Sequence, residues 1–499
     1  MGEALLVGLD IGTTATKAAV YDAAGTQLAA ASAGYPITRP RNGWAEQDAE
    51  DWWRAAIHAL RALATTTDLS TVHAVGLVSQ VNTHAFVDAA LRPIGPAIVW
   101  QDQRCADIAR ELDGRFDDAT RHRLWGGPFT IDSSYLISRA AWLAVHDTAA
   151  WDRAAWVLLP KDYVIARLTD EVATDAVSAI GLVTAAGDSY LVGAMALLDG
   201  VAQRLPRLAR PTEPVGTITA AAADATGLPA GVPVMAGTMD AWGNLHGSAA
   251  SSPGSAILVG GTSEIAALVS DRHVPTAGII TFPAVDGLIV HAGPTQAGGD
   301  ALRWWVQTSG HSYDEVLAQA AYTPAGAGGV IFAPHLLGER APLWDPDVRA
   351  SFLGLSSGTG TAELGRAVLE GVAFSARELF EAVATAGGVP VSTIALSGGS
   401  ARSDLWSQIK ADVLGRPLRR LAVRDSAVLG AALLAGVGSK LYDSLAAAGA
   451  SAVHVERVFE PNPERVQLYS DLFAIYRQAY GALRPVHAAL TAWRDAGRS

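Results

Sequence analysis

Residues 5–22 read LLVGLDIGTTATKAAVYD, in which an apolar run ends at Asp10 and a Gly-Thr-Thr turn leads into a second apolar run. This order predicts a strand, a tight turn and another strand, with the acid at the edge of a sheet. The turn, Gly12-Thr13-Thr14, offers backbone N–H groups and hydroxyls, which are the groups that bind phosphate. An acid beside such a turn is suited to Mg²⁺ and a nucleotide. The alternative is a buried hairpin whose acid only caps the turn.

The composition limits the classes of protein to which the chain can belong. Its 499 residues are too many for one hydrophobic core, and a hydrophobic content of 50% excludes a disordered chain. The net charge of −12 gives no basic surplus, so we expect no nucleic-acid partner. Cys105 is the only cysteine, which excludes disulfides and cysteine-based metal sites. Neither a membrane-spanning stretch nor a signal peptide is recognised, so we expect a cytoplasmic protein without a membrane partner.

The opening pattern recurs about half the chain length further on. Residues 255–271 read SAILVGGTSEIAALVSD, and when the Gly-Thr turns are aligned, residues 261–271 match residues 12–22 without a gap. The repeat predicts two related domains that each present a turn to one phosphate chain, with Gly261-Thr262-Ser263 as the second turn. Only the first copy has the acid, because Val259 stands at the place of Asp10. We therefore expect the first domain to build the metal centre and the second to clamp the phosphates.

Apolar periodicity predicts strands that alternate with helices, which is typical of an α/β architecture. The segment 247–254 (GSAASSPG) is the predicted hinge between the two halves. The predicted elements are a helix over 45–66, strands over 72–79, 84–88 and 232–235, a helix over 361–386, a strand over 392–397, a helix over 403–414 and a helix from about 464.

Two segments carry candidate catalytic and nucleotide-binding groups. Asp240 follows the strand 232–235 and could act as the general base that accepts a hydroxyl proton in phosphoryl transfer. A helix N-cap is the alternative role for this acid. Gly398-Gly399-Ser400 and Arg402 lie between a strand and a helix, where a nucleotide can approach the backbone closely. A close-packed turn without a ligand is the alternative there.

Polar side chains after two other strands could bind a polyhydroxylated substrate. Trp100-Gln101-Asp102 follows an apolar pair, and a solvated loop with a salt bridge is the alternative for this segment. Gln80, Asn82 and His84 follow the strand 72–79 and could line the same pocket. His84 alone is more typical of a structural histidine.

Together these motifs resemble the FGGY carbohydrate kinases, close to the xylulose kinase group, over about residues 5–437. The motifs that carry the resemblance are Asp10-Ile11-Gly12-Thr13-Thr14 with Lys17, Trp44 to Asp48 with Trp52-Trp53, Leu159 to Tyr163, Gly338 to Pro342, Ala350 to Glu370, and Gly398 to Arg402. The resemblance implies two actin-like (ribonuclease H-like) α/β domains around a central cleft for nucleotide and sugar. The N-terminal domain, over 1–247, is expected on the sugar, phosphate and metal side. The C-terminal domain, over 255–445, is expected on the nucleotide side, and a helical extension covers 446–499.

The resemblance also implies an activity, which is transfer of the γ-phosphoryl group of ATP to a carbohydrate hydroxyl, with a ketopentose such as D-xylulose as the acceptor. It makes Asp240 the catalytic base and Asp10 with Asp240 the site of Mg²⁺. The implied ATP-binding residues are Gly12, Thr13, Thr14, Lys17, Gly261, Thr262, Ser263, Gly398, Gly399, Ser400 and Arg402. The implied substrate-binding residues are Gln80, Val81, Asn82, Trp100, Asp102 and Asp240.

The chain departs from the xylulose kinase pattern at the substrate residues. It has Gln80-Val81-Asn82-Thr83 in place of Gln-Met-His-Gly, and Asp240-Ala241 in place of Asp-Asn. A kinase for another ketose, a polyol or a sugar acid, of the ribulose, erythritol or gluconate type, therefore stays open. So does an actin-like ATPase without a sugar acceptor, while the retained Asp10, Thr13 and Asp240 argue against a paralogue without catalysis. A homodimer is also left open.

Overall fold

A computed structural model describes residues 4–423 and 425–495. The chain divides into two compact α/β units, and the first break, after Ser251, lies within the predicted hinge. Residues Asp425–Val453 belong to the first unit, whereas the sequence prediction groups them with the later part of the chain. Unit 1 comprises the described residues up to Ser251, Phe282–Ile289 and Asp425–Val453, and unit 2 comprises Ser252–Thr281, the described residues from Val290 to Val423, and those from His454 onward.

The main sheet of unit 1 has the strand order β11-β12-β5-β1-β2-β3, and β13 also pairs with β5. β1 runs antiparallel to β2 and parallel to β5, so the opening motif is a hairpin at the centre of the sheet. The strands of this unit are β1 (Leu5–Ile11), β2 (Ala15–Tyr21), β3 (Gln27–Gly34), β4 (Glu46–Gln47), β5 (Val72–Ser79), β6 (Ala85–Val87), β7 (Ala97–Ile98), β8 (Trp156–Leu158), β9 (Ala173–Asp175), β10 (Arg207–Ala209), β11 (Pro214–Thr217), β12 (Pro233–Met235) and β13 (Thr238–Met239).

The main sheet of unit 2 has the strand order β16-β17-β15-β14-β20-β21-β22. Its hairpin, β14 with β15, also lies beside a parallel strand, β20, as the repeat predicts. The strands are β14 (Ser255–Gly260), β15 (Glu264–Ser270), β16 (Ile280–Thr281), β17 (Ile289–Pro294), β18 (Ile331–Ala333), β19 (Ser351–Leu353), β20 (Thr393–Gly398), β21 (Leu418–Leu421) and β22 (Val455–Phe459).

Helices cover the sheets, and α14 packs directly on β1 and β5. That helix is built from small and apolar residues, and a Cβ on Gly8 of β1 would lie 2.1 Å from the carbonyl oxygen of Val428. The helices are α1 (Ala49–Ala64), α2 (Ala106–Asp113), α3 (Asp118–Trp125), α4 (Leu136–His146), α5 (Thr148–Arg153), α6 (Pro160–Thr169), α7 (Val192–Met195), α8 (Ala220–Thr226), α9 (Asp240–His246), α10 (Gly299–Ser309), α11 (Tyr313–Tyr322), α12 (Thr361–Gly387), α13 (Asp404–Leu414), α14 (Ser426–Gly438), α15 (Leu445–Ala452) and α16 (Pro463–Asp495).

The predicted elements are confirmed in type, with one boundary corrected. The helix predicted over 45–66 begins only at Ala49, because Glu46 and Gln47 form β4, which pairs with β7. Asp48 then caps the helix through its side chain, which accepts from the N–H of Glu50. None of the described helices is both long and apolar enough to cross a membrane.

Candidate active site

Three neighbouring strands of unit 1 end at one edge of the sheet, and a polar residue stands at or just after each end. Asp10 in β1 and Thr238 in β13 both pair with Val78 of β5. The N–H of Gln80, which follows β5, donates to the last carbonyl of β1 at 3.0 Å. Asp240 follows β13 directly as the first residue of α9. Because these strands are parallel, their carboxyl ends bring Asp10, Gln80 and Asp240 to the same edge.

Asp10 is buried, and its carboxylate is only partly neutralised. Its Oδ1 has no hydrogen-bond partner among the described residues, and its Oδ2 lies 3.9 Å from Nζ of Lys17. Burial and the charge of Asp240 raise the pKa of Asp10 to about 8, although Lys17 acts in the opposite direction. A buried carboxylate without a full set of donors is costly to ionise. The group is therefore suited to accept a cation.

Asp240 is partly exposed, and one of its oxygens is held. Its Oδ1 accepts from the N–H of Ala241 at 2.7 Å. Burial raises the pKa of Asp240 to about 6, although the N–H of Ala241 and the charge of Lys17 lower it. Met239 and not Asp240 is the N-cap residue of α9, although the Asp240 carboxylate accepts from an N–H group of the first turn. A carboxylate with a pKa near 6 is suited to act as a general base at neutral pH.

Lys17 provides positive charge at this edge of unit 1. Its Nζ lies 2.7 Å from Oδ2 of Asp425, the residue that precedes α14. Burial lowers the pKa of Lys17, but the hydrogen bond and charge of Asp425, with Asp10 and Asp240, outweigh it and raise the pKa above its ordinary value. Lys17 is therefore protonated at neutral pH, and its ammonium group lies near the carboxylates of both Asp425 and Asp10.

The Gly12-Thr13-Thr14 turn is held through its three carbonyl oxygens. The hydroxyl of Tyr35 donates to the Gly12 carbonyl at 2.6 Å, and the Tyr35 N–H donates to that of Thr14 at 3.1 Å. Nε2 of Gln47 donates to the Thr13 carbonyl at 2.7 Å. These bonds fix the peptide planes of the turn, so a phosphate can bind without ordering the backbone first.

The side chain of Gln80 is hydrogen-bonded at both ends, and it contacts Gln47, which holds that turn. Its Nε2 donates to Oε1 of Gln47 at 3.0 Å, and its Oε1 accepts from the hydroxyl of Thr83 at 3.1 Å. The side chain is buried. As placed, Gln80 supports the phosphate turn through Gln47, and its predicted contact with the substrate stays a prediction.

The other predicted substrate residues fall into two groups. Val81 and Asn82 are partly exposed, and Nδ2 of Asn82 donates to Oγ of Ser134 at 3.2 Å. Trp100 is exposed, and its Nε1 donates to Oγ1 of Thr13 at 3.2 Å. These side chains have surface that a ligand can reach beside the phosphate turn.

Asp102 differs from them because its carboxylate is fully engaged inside the protein. It accepts from the N–H of Ala45 at 2.6 Å and from Nε and Nη2 of Arg104 at 2.9 and 2.7 Å. The guanidinium of Arg104 lies over the ring of Trp44, 3.6 Å from its centroid. The salt bridge named as the alternative is thus present, and it is buried rather than solvated. This arrangement leaves Asp102 no exposed surface for a ligand.

The second turn, Gly261-Thr262-Ser263 in unit 2, is held by a helix instead of by side chains. The Gly261 carbonyl accepts from the N–H of Gly299 at 2.8 Å, and the Thr262 carbonyl accepts from that of Asp300 at 3.1 Å. Both N–H groups belong to the first turn of α10, where helical N–H groups otherwise lack partners.

The two hairpins differ in register by one residue, which the ungapped alignment does not reveal. In the first hairpin Asp10 pairs with Lys17, while in the second Val259 pairs with Ile265. The N–H of Gly12 reaches the carbonyl of Ala15, whereas the equivalent N–H of Gly261 reaches that of Ser263. The second turn is therefore tighter, and an apolar pair replaces the charged pair of the first.

The predicted nucleotide segment of unit 2 is a turn that begins where β20 ends. Gly398, Gly399 and Arg402 are exposed, whereas Ser400 is buried. Oγ of Ser400 accepts from Nζ of Lys410 at 2.9 Å, and the same ammonium pairs with the carboxylate of Glu264, which follows the second turn. Lys410 therefore links the two predicted nucleotide segments of this unit.

The donor set of unit 1 suits Mg²⁺ bound together with phosphates. The described residues contain no group of three or more His, Cys, Asp or Glu side chains that could hold a metal ion by themselves. Mg²⁺ is commonly bound by one or two carboxylates, with water and substrate phosphates as the remaining ligands. Asp10, with its unpartnered Oδ1, and Asp240 fit that pattern.

The comparison with protein families decides the identity of the fold and the class of reaction. Residues 5–247 match the N-terminal domain of the FGGY family of carbohydrate kinases, and residues 256–439 match its C-terminal domain. The chain belongs to this family. It is an ATP-dependent phosphotransferase with an alcohol group of a carbohydrate as the acceptor. The predicted fold of two actin-like α/β domains is confirmed for this FGGY kinase.

Relatives of this FGGY kinase match almost its whole length. The xylulose kinase of Escherichia coli (strain K12) is 30% identical over 498 residues, which cover 97% of this chain and 100% of the relative. A ligand-bound xylulose kinase from Lactobacillus acidophilus has a TM-score of 0.89 at 26% identity and covers 97% of this chain and 99% of its own. A gluconate kinase from the same species has a TM-score of 0.90 at 27% identity and covers 98% and 100%.

Some residues of this site escaped the sequence prediction. Gln47 and Tyr35 hold the first turn, and Asp425 holds Lys17, but none of the three belongs to a spacing that indicates a site. The sequence indicates Gln47 only as part of the resemblance and predicts it within a helix, whereas it lies in β4. Asp425 lies so far along the chain from Lys17 that only the fold brings them together.

Proposed function

We propose that this FGGY kinase transfers the γ-phosphoryl group of Mg²⁺-bound ATP to a hydroxyl of a ketopentose such as D-xylulose. The names of two of the relatives, both xylulose kinases that align with nearly the whole chain, support the acceptor. The mechanism rests on one observation about Asp240. This acid is partly exposed, and its pKa is raised by partial burial to about 6. A cytoplasmic location is part of this proposal, because the reaction consumes ATP.

Asp240 is the general base of the proposed reaction. Its Oδ1 is fixed by the N–H of Ala241, which leaves Oδ2 to accept the proton of the attacking hydroxyl. The hydroxyl becomes a better nucleophile as it loses that proton in the transition state. A base of this kind contributes about 10²- to 10⁴-fold to the rate.

Asp10, Lys17 and the first turn bind the phosphate end of the nucleotide in this proposal. Gly12, Thr13 and Thr14 offer N–H groups and hydroxyls on a backbone that Tyr35 and Gln47 already hold. Asp10 would hold Mg²⁺, which when bound neutralises charge on the phosphates, while Asp240 adds negative charge beside it and keeps Oδ2 for the hydroxyl proton. Lys17 adds a positive charge beside them.

The turns of unit 2 supply the remaining nucleotide contacts in this proposal. The exposed backbone of Gly261-Thr262 and of Gly398-Gly399 lets a ligand approach closely. Arg402 is exposed and can donate to a nucleotide, whereas the buried Ser400 acts by tying its turn to Lys410.

A gluconate-type sugar acid is the second candidate acceptor. The Lactobacillus acidophilus gluconate kinase matches this chain as well as the xylulose kinase from that species does, with TM-scores of 0.90 and 0.89. Asn82 and Ala241 stand where the xylulose kinase pattern has His and Asn. Which hydroxyls of the acceptor form hydrogen bonds to the protein therefore stays open. A site that pairs a given hydroxyl rejects analogues without it by large factors.

Release of ADP that depends on an added acceptor tests the acceptor directly. The panel is D-xylulose, D-ribulose, gluconate, erythritol and glycerol, with a control that contains ATP but no acceptor. We expect the highest kcat/KM for D-xylulose and little ADP release without an acceptor. A higher kcat/KM for gluconate would make gluconate the acceptor and would leave the proposed mechanism unchanged. Equal ADP release with and without every acceptor would contradict the proposed function.

A further inference from the structure

A fully buried charge cluster contacts the segment that precedes Asp240 in unit 1. Lys161 and Asp162 lie in the first turn of α6, and Asp175 ends β9. Nζ of Lys161 is 2.6 Å from Oδ1 of Asp162 and 3.1 Å from Oδ1 of Asp175, and all three side chains are at most 1% exposed. The cluster holds one positive and two negative groups, so its ions are not balanced within it.

The cluster contacts the segment that leads into Asp240 at two points. The third donor bond of Lys161 goes to the carbonyl of Ala236 at 3.2 Å. The hydroxyl of Thr238, two residues before Asp240, donates to Oδ2 of Asp175 at 2.9 Å. The segment before Asp240 is thus held at a backbone carbonyl and at a side-chain hydroxyl.

A gain in stability does not explain such a cluster. Burying ions costs several kcal/mol for each, and well-packed apolar side chains of similar volume often stabilise a fold as well or better. Fixed geometry is a benefit that buried ions can provide and apolar contacts do not, because hydrogen bonds and charges are directional. The cluster also accepts from the N–H groups of Leu159 and Ser178, but two of its directional contacts end on Ala236 and Thr238, which precede the acid of the proposed reaction in the chain.

We propose that Lys161, Asp175 and Thr238 are positioning residues that set the place of the Asp240 carboxylate relative to the acceptor hydroxyl. Lys161 fixes the start of the turn between β12 and β13 through Ala236, and Asp175 fixes β13 through Thr238. A displacement of about 1 Å at a reacting group can cost about 10²-fold in rate. This inference rests on the proposed function of Asp240 as the base.

The Thr238→Val variant tests the inference because it removes only the hydroxyl that binds Asp175 and keeps the shape of the side chain. Thr226→Val is the matched control, since Thr226 is also a buried threonine of unit 1 with its hydroxyl bonded to a backbone carbonyl at 2.7 Å. Thr238→Ser keeps the donor and serves as the rescue. Thr238→Ala removes the same hydroxyl and is used if the valine variant does not fold.

We expect Thr238→Val to lower kcat by about 10- to 100-fold. Its binding of Mg²⁺-ATP, measured by calorimetry without acceptor, and its melting temperature should match those of the Thr226→Val control. Thr238→Ser should recover most of kcat. A kcat of Thr238→Val equal to that of the control would overturn the inference, as would a loss confined to ATP binding.

Asp240→Asn, measured in parallel, separates this inference from the proposed function. If Asp240→Asn is inactive while Thr238→Val behaves like its control, only the positioning role fails. If Asp240→Asn keeps full turnover, the base assignment fails and the positioning role fails with it.

Discussion

Lys17 and Asp425 form an ion pair of 2.7 Å in unit 1, although they lie near opposite ends of the chain. The pair forms because α14, which Asp425 precedes, packs on β1 and β5 beside the opening hairpin. The side chain of Asp425 competes for the cation that the proposed mechanism assigns to the phosphates of ATP.

Replacing Asp425 with Asn should therefore tighten the binding of Mg²⁺-ATP. The pair is partly exposed, so losing it costs at most about 1 kcal/mol of stability. Removing a negative charge beside the phosphates should lower the Kd by up to about fivefold, and added salt should reduce the effect. Calorimetric titration at two salt concentrations measures it. Asp88→Asn, which breaks the exposed pair with Arg92, is the control, and weaker binding by Asp425→Asn would contradict the prediction.

The acid limb of the pH profile should report Asp240. Its pKa is raised to about 6, and only the ionised form can accept a proton. The value of kcat/KM for the acceptor, at saturating Mg²⁺-ATP, should fall about tenfold for each pH unit below 6 and level off above it. Unchanged kcat/KM between pH 5 and 7 would show that another group limits the reaction.

Asp10→Asn should stabilise the ligand-free protein at high pH while it impairs turnover. The pKa of Asp10 is about 8 in the folded protein and near 3.8 when unfolded, so the folded state binds more protons between those values. The stability of the wild type therefore falls as pH rises through that range, by up to about 1.4 kcal/mol for each pH unit. The variant should melt higher than the wild type at pH 8 and about equally at pH 4. Equal melting temperatures at pH 8 would refute the raised pKa.

The close approach of backbone at Gly398 should be needed for nucleotide binding. Gly398 has φ +83°, and a Cβ there would lie 2.4 Å from the carbonyl oxygen of Gly260. Gly398→Ala should raise the KM for ATP by about tenfold or more, because the turn must shift. Gly231→Ala is the control, since Gly231 has φ +84° with nothing within 4 Å, so it shares the backbone strain without the collision. Equal kinetic effects of the two variants would assign the loss to strain alone.

The sequence predicts the two hairpins and the helices α1, α12, α13 and α16, because each of these is encoded locally, whereas the other helices are not predicted from it. Apolar runs bounded by Gly-Thr turns identify β1, β14 and their partners, and the long apolar periodicity identifies α12. The helix predicted from residue 45 begins late because Glu46 and Gln47 pair with β7, a contact that local pattern does not contain.

The candidate site was predictable only where its residues lie within one motif. Asp10 lies one residue before the end of β1, and Asp240 follows β13 directly, so each acid comes after apolar residues that the local sequence reveals. The one-residue difference between the two turns depends on strand register, and an alignment without a gap conceals it. Asp102 has the residue type of a substrate ligand. In the structure, however, Arg104 and the N–H of Ala45 occupy the oxygens of its carboxylate with hydrogen bonds.

The role of Asp240 as the base is tested most directly by the turnover number of Asp240→Asn with D-xylulose, or with the best acceptor of the panel. Asparagine keeps the size and the oxygen that accepts from Ala241, but it cannot take up the hydroxyl proton. If Asp240 is the base, kcat should fall by about 10²- to 10⁴-fold while Mg²⁺-ATP still binds. A kcat within a few fold of the wild type, at the same acceptor concentration, would contradict it.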